Sequence, residues 1–437
     1  MRVFCLLKDG LSKLEKASKI KGREPAHLAA PGVDYASLGV TMSDTSQSSG
    51  EGSLDVSTSE ETTWSQHDTP SLDQPQQEPN GNGLLLIDGA TSQMPIVAPE
   101  LETQRRVAAD TSRLLPERLE AYEDIMDSEV GDTTLVRARN LEREMGLRQI
   151  YLKFEGGNPT GTQKDRIAFA QVMDAMRRGF EAITVATCGN YGVALALAAS
   201  MAGLRCLIYI PEGYHTKRVQ EMTDLGAQIV RAAGDYEQAV VISRKHAEAE
   251  EIYDANPGGA NTALQLKAYG EIAYEIYDEL RDAPAAVAVP VSNGSTLVGI
   301  YKGFLSLYRR GKTSRIPRMV AGSSHGKNPI IRAYLKNTLA CEDLKPEQIR
   351  ETAVNEPLIN WHSFDGDQAL EAIRKSGGWS SYASDKSMLT HSRLLREKEG
   401  LSILPASTAG LSVLLERHGK EQLPGDRYVV ILTGRKS

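Results

Sequence analysis

"EGGNPTGTQKDRIAFAQVMDAMRRG", residues 155–179, decides how the rest of the chain is read. Three glycines, a proline and two threonines lead to a single lysine, Lys164. From there apolar residues recur every three or four positions, the pattern of a helix with one buried face. Just upstream, "QIYLKF" (149–154) is a short apolar run of strand type. A strand, a glycine-rich loop and a helix opening on a lysine form one unit of a parallel α/β sheet. Most lysines are solvated surface charges, so Lys164 stands apart only if the rest of the chain gives it company.

The unit recurs. Strand-like runs follow at "AITVAT" (182–187), "RCLIYI" (205–210), "AQIVRA" (227–232), "AAVAVPV" (285–291), "RMVAGSS" (318–324) and "YVVILT" (428–433). Helical periodicity fills 164–178, 191–202, 215–225, 235–251, 262–281, 296–310, 385–399 and 408–418. Strands that are apolar throughout, alternating with amphipathic helices, predict an α/β fold with parallel sheets covered on both faces. No internal repeat is visible.

The 437 residues carry a formal charge of −7 and 41% hydrophobic content, enough for a large core. No basic face marks a nucleic-acid partner, and no apolar run is long enough to span a membrane. The basic N-terminus, with "VFCLL", lacks the apolar core and cleavage site of a signal peptide. Four cysteines, Cys5, Cys188, Cys206 and Cys341, show neither zinc nor disulfide spacing; they read as reduced thiols of a cytoplasmic protein, with no metal site. Residues 41–83, with stretches such as "SDTSQSSGEGSLDVSTSEETT", hold almost nothing to bury and are expected to stay disordered. Residues 1–104 are therefore read as a disordered extension and 105–437 as the folded region, opening with the helical "TSRLLPERLEAYEDIM" (111–126).

Ligands of open parallel sheets sit beyond the carboxyl ends of the strands. There the chain places "TCGNYG" after 182–187, "SNGST" after 285–291, and Thr433-Gly434 after the last strand. Glycine after a strand ordinarily serves only the turn. "SNGST" (292–296), however, puts free backbone N–H groups at a helix start, where an anion such as phosphate is held without a side-chain cation. Gly311-Lys312-Thr313 is not a nucleotide loop, since Ser306 stands where its first glycine belongs. A phosphate cradle, an isolated lysine and no metal-ligand cluster suggest a cofactor with its own phosphate and an aldehyde, a description that pyridoxal phosphate meets.

"YLKFEGGNPTGTQKDR", "TCGNYGVALALAA", "VPVSNGSTLVGIYKGF", "NPIIRA", "SGGWSSYASDKSMLTHSRLLREKEGLSILPASTAGL" and "VVILTG" resemble, in order, motifs of the threonine synthase branch of the fold type II pyridoxal-phosphate enzymes. The resemblance covers about residues 115–435. It implies two α/β domains with the cofactor in the cleft between them, the smaller one formed by about 183–285. It implies a homodimer, a small amino-acid substrate and a lyase of amino-acid biosynthesis making L-threonine from O-phospho-L-homoserine. By motif position Lys164 matches the cofactor-bearing lysine and proton shuttle, and Asn190 the partner of the cofactor's 3′ oxygen. Ser292, Asn293, Gly294, Ser295 and Thr296 match the phosphate cradle, and Thr433 faces the pyridine nitrogen. Thr187, Cys188 and Gly189 match the grip on the substrate carboxylate.

The sequence departs from that pattern on the substrate side. "NPGGANTALQLKAYG" (256–270) lacks the arginine that helps grip the substrate phosphate, Leu404 replaces an acid, and "GDTTL" (131–135) replaces a glycine-x-threonine-proline-leucine segment. Arg166 and Lys267 are the substitutes nearest by motif position; Lys153 and Lys302 are expected to play no part in holding the cofactor. Two other readings stand beside the first: β-replacement or dehydration of a serine- or threonine-like amino acid, and a cofactor-binding scaffold without catalysis.

Overall fold

The structure, a computed structural model, describes residues 98–436 apart from Cys188, His215 and Lys217. The disorder expected over 1–104 lies, up to residue 97, outside the described residues. Its boundary needs correction: a helix spans Glu102–Ala109, so an edge at 105 cuts through an ordered element. Leu101 and Ala108 are buried, and Arg118 ties this segment down by donating from Nε to the Ala108 carbonyl and from Nη2 to the Ala202 carbonyl.

Among the described residues ten strands form two sheets. They are β1 (Leu135–Arg137), β2 (Ile150–Phe154), β3 (Ala182–Ala186), β4 (Arg205–Pro211), β5 (Gln228–Ala232), β6 (Tyr253–Asp254), β7 (Ala286–Pro290), β8 (Arg318–Ser324), β9 (Trp379–Ala383) and β10 (Tyr428–Leu432). One sheet runs β1-β2-β10-β7-β8-β9 and the other β5-β4-β3-β6. Every pairing is parallel except β1 with β2. The last strand sits in the middle of the larger sheet, with Val430 level with Leu152 on one side and Ala288 on the other. β10 and β2 thereby bring Thr433 and the Lys164 loop together, and the Gln163 amide donates to the Thr433 carbonyl.

The helices cover both sheets. Asn190–Ala202 ("NYGVALALAASMA") is apolar nearly all round, as a helix enclosed by other elements must be, and Gly203 ends it in the left-handed region. It packs against Lys164–Arg177. Thr262–Leu280 and Ser295–Arg309 cross at their glycines: a Cβ on Gly303 would lie 2.5 Å from the Gly270 carbonyl oxygen. Only a residue without a side chain allows that approach. Among the described residues no helix is long and apolar enough to cross a membrane.

Candidate active site

A cavity of about 920 Å³ opens where the loops leave the strands. Lys164, Thr187, Gly189, Asn190, Thr433 and the whole run Ser292–Thr296 line it. The motif-bearing loops thus share one cavity despite their distance in sequence. Cys188 lies outside the described residues.

Lys164 is the first residue of its helix, reached through Gly161, whose φ of +86° turns the chain. Its Nζ lies 5.5 Å from the centre of the Tyr191 ring and 5.8 Å from that of Tyr269. Tyr191 is locked by donating to the Ala255 carbonyl at 2.8 Å and by Gln171, which donates to its hydroxyl. Among the described residues no carboxylate pairs with Lys164, so its amine is left to the cavity. The next residue, Asp165, turns away and accepts from the Thr160 amide (3.0 Å) and hydroxyl (2.8 Å). Burial raises its carboxyl to about 7 against those bonds.

The helix Ser295–Arg309 starts after Gly294, whose φ of +97° belongs to glycine, and no side chain caps it. Its first amides are therefore available to an anion. The loop is braced from behind. Asn328 Nδ2 donates to the Ser292 carbonyl (2.9 Å), Asn360 Nδ2 to Asn293 Oδ1 (3.3 Å), and Ser295 Oγ to Asp365. Burial raises the Asp365 carboxyl. At the far end of the motif series, Thr433 Oγ1 sits 2.9 Å from Ser407 Oγ, a neutral hydroxyl pair.

Two expected substrate residues are corrected here. Arg166 does not reach the cavity: it is buried between Glu155, which accepts from Nε at 2.6 Å, and Glu275, which accepts from Nη1 at 2.6 Å and Nη2 at 2.8 Å. Lys267 is exposed and does not line the cavity either. Lys153, expected to play no part in holding the cofactor, is fully buried and pairs with the same Glu275. The brace residues Asn328, Asn360, Asp365 and Ser407 escaped the sequence reading. Asn328 and Ser407 stand inside quoted motifs ("NPIIRA", "LPAST"), which was the one signal for them.

A family model described as "Pyridoxal-phosphate dependent enzyme" matches residues 126–434. The chain belongs to that family. Threonine synthase of Methanocaldococcus jannaschii is 32% identical over 309 residues, 70% of this chain and 74% of that protein. Threonine synthase of Methanosarcina acetivorans is 28% identical over 354 residues, 80% of this chain and 85% of that protein. Solved structures share the fold. Maize serine racemase has a TM-score of 0.61 at 16% identity, covering 73% of this chain and 92% of that one. Threonine deaminase isoform 2 from Solanum lycopersicum has a TM-score of 0.58 at 15% identity, covering 74% and 90%. This pyridoxal-phosphate enzyme is a lyase similar to threonine synthases, with the fold type II architecture that the motifs imply.

The cavity suits the cofactor on its own terms. It offers an amine without an ion partner, an uncapped helix start for a phosphate, and a neutral hydroxyl pair. It also offers an asparagine at the first turn of Asn190–Ala202. These residues would hold the aldehyde, the phosphate, the ring nitrogen and the 3′ oxygen respectively.

Proposed function

We propose that the protein converts O-phospho-L-homoserine and water to L-threonine and phosphate. One observation carries the reading: Lys164 presents an unpaired amine, between two tyrosine rings, in the cavity that also receives the uncapped start of Ser295–Arg309. The relatives' name, threonine synthase, supports the choice of product. On this reading the small unit, about 183–285, and the larger remainder close on a shared cleft in a cytoplasmic enzyme.

Bound pyridoxal phosphate supplies an electron sink for charge that develops at the amino acid's α-carbon. Lys164 holds the cofactor and moves protons at the substrate's Cα and Cβ. The Thr187 hydroxyl and the Gly189 and Asn190 amides hold the substrate carboxylate, at a helix start that favours an anion; the Thr187 amide is taken by the Tyr209 carbonyl. Thr433, tied to Ser407, would offer the ring nitrogen a neutral hydroxyl rather than a carboxylate, a partner that does not favour a proton there. Phosphate would leave from Cγ, which gains a proton to become the methyl group; the hydroxyl of water adds at Cβ, and a proton returns to Cα.

A second reading, elimination or replacement on a serine- or threonine-like amino acid, is favoured by one observation: neither Arg166 nor Lys267 reaches the cavity. The catalysis-free scaffold has no such observation behind it. Supplying O-phospho-L-homoserine, and separately serine and threonine, and following the products decides between the two enzymatic readings. Threonine and phosphate formed in equal amounts support the proposal. No phosphate, with a 2-oxo acid formed from serine or threonine, replaces it with the second reading.

A further inference from the structure

A dianionic phosphate ester entering a partly closed cavity needs a cation, because burying it unpaired is costly. Among the described residues lining the cavity, the cations are Lys164 and Arg218. Lys164 is committed to the cofactor. We propose that Arg218 grips the anionic end of the substrate; the inference rests on the phosphohomoserine reading.

Arg218 opens the short helix Arg218–Asp224, beyond the carboxyl end of β4. Its amide donates to Thr216 Oγ1 at 3.2 Å, and Thr216 lines the same cavity. Its side chain is only 19% exposed. Within it, Nε is buried and makes no hydrogen bond among the described residues. Glu221 Oε2 lies 3.4 Å away, close enough to share charge but without hydrogen-bond geometry, and that carboxylate is 49% exposed. A guanidinium carries five N–H donors in a fixed fork suited to phosphate. Among the described residues its charge is met by that half-exposed carboxylate alone, which leaves the guanidinium to an anion in the cavity.

Carboxylates also line the cavity, and the buried or half-buried ones are occupied. Asp235 caps the helix Tyr236–Ala249 and accepts from Trp361 Nε1 at 2.9 Å. Glu237 accepts the Trp361 amide, Glu356 accepts the Tyr214 hydroxyl at 3.0 Å, and burial raises both carboxyls. Glu347 and Glu351 are exposed. The acids held inside therefore oppose an incoming phosphate less than their number suggests.

The test compares wild type with Arg218→Gln and Arg218→Lys, all as holoenzyme. For O-phospho-L-homoserine, kcat/KM is expected to fall about ten-fold or more in Arg218→Gln, the scale of one lost charge-assisted contact, and to recover in part in Arg218→Lys. Inhibition by inorganic phosphate should weaken in parallel. L-threonine binding, read from the cofactor absorbance, should not change, since threonine lacks the anionic end. Phosphate release by Arg218→Gln within about two-fold of wild type overturns the assignment. Equal weakening for threonine and phosphohomoserine overturns it too, placing the arginine on the carboxylate. If Arg218→Gln does not fold, a wild-type kcat/KM with undiminished phosphate inhibition in Arg218→Lys counts against the fork. A wild-type enzyme that releases no phosphate at all removes the substrate reading, and Arg218's role with it.

Discussion

Arg166 and Glu275, 109 positions apart, share two hydrogen bonds, Nη1 to Oε1 at 2.6 Å and Nη2 to Oε2 at 2.8 Å. The pair fastens the helix that begins at Lys164 to the helix Thr262–Leu280, and Glu155 completes it from the glycine-rich loop. Removing the guanidinium leaves Glu155 buried without its cation, beside Glu275 with Lys153 as its one remaining partner. Arg166→Ala should therefore lower unfolding free energy by about 3–5 kcal/mol in urea titration. A variant as stable as wild type that lost only substrate affinity would return Arg166 to the substrate side.

The same neighbourhood sets a pH dependence with two limbs. Burial would raise Glu275, but Arg166 and Lys153 beside it bring it down to about 2. A lowered carboxyl stabilises the fold above its ordinary value of 4.5, and that contribution is lost as pH falls from there toward 2. Asp165 behaves oppositely. Its value is raised from 3.8 to about 7, so the folded state binds its proton more tightly and stability falls as pH rises between those values. The slope reaches up to about 1.4 kcal/mol per pH unit. Thermal melts of Asp165→Asn should lose this fall and keep the acid limb; a slope identical to wild type would contradict the assignment.

Where sequence reading succeeded and failed has a physical cause. Seven strands were legible because parallel strands buried on both faces are unbroken apolar runs, as in "YVVILT". β1 has three residues at a sheet edge, β6 has two, and β9 reads "WSSYA", so none carries that signal. The cavity-lining loops were legible because their order along the chain matches a known series. Arg166 and Lys267 misled because nearness in sequence says nothing about helix face. Two residues along a helix is a turn of about 200°, which points Arg166 away from Lys164 and Lys267 away from Gln265 and Tyr269, which do line the cavity.

The helix Glu102–Ala109 belongs to the folded region. A chain beginning at Ala98 should melt as the full chain does. One beginning at Ser112 loses the burial of Leu101 and Ala108 and the carbonyl that receives Arg118, a loss of roughly 2–3 kcal/mol. Equal melting temperatures for the two would show that this helix adds nothing to the fold.

Everything proposed about the site depends on Lys164 carrying the cofactor. Borohydride reduction of the holoenzyme, digestion and mass spectrometry of the peptides locate that bond directly. Lys153 is buried against Glu275, and Lys302 donates to Gln368 at 2.9 Å, so both serve as internal controls. The predicted result is the mass of the reduced cofactor on the peptide that contains Lys164, and its loss in Lys164→Ala. Cofactor mass on the Lys153 or Lys302 peptide, or a Lys164→Ala enzyme that still fixes it, would contradict the account.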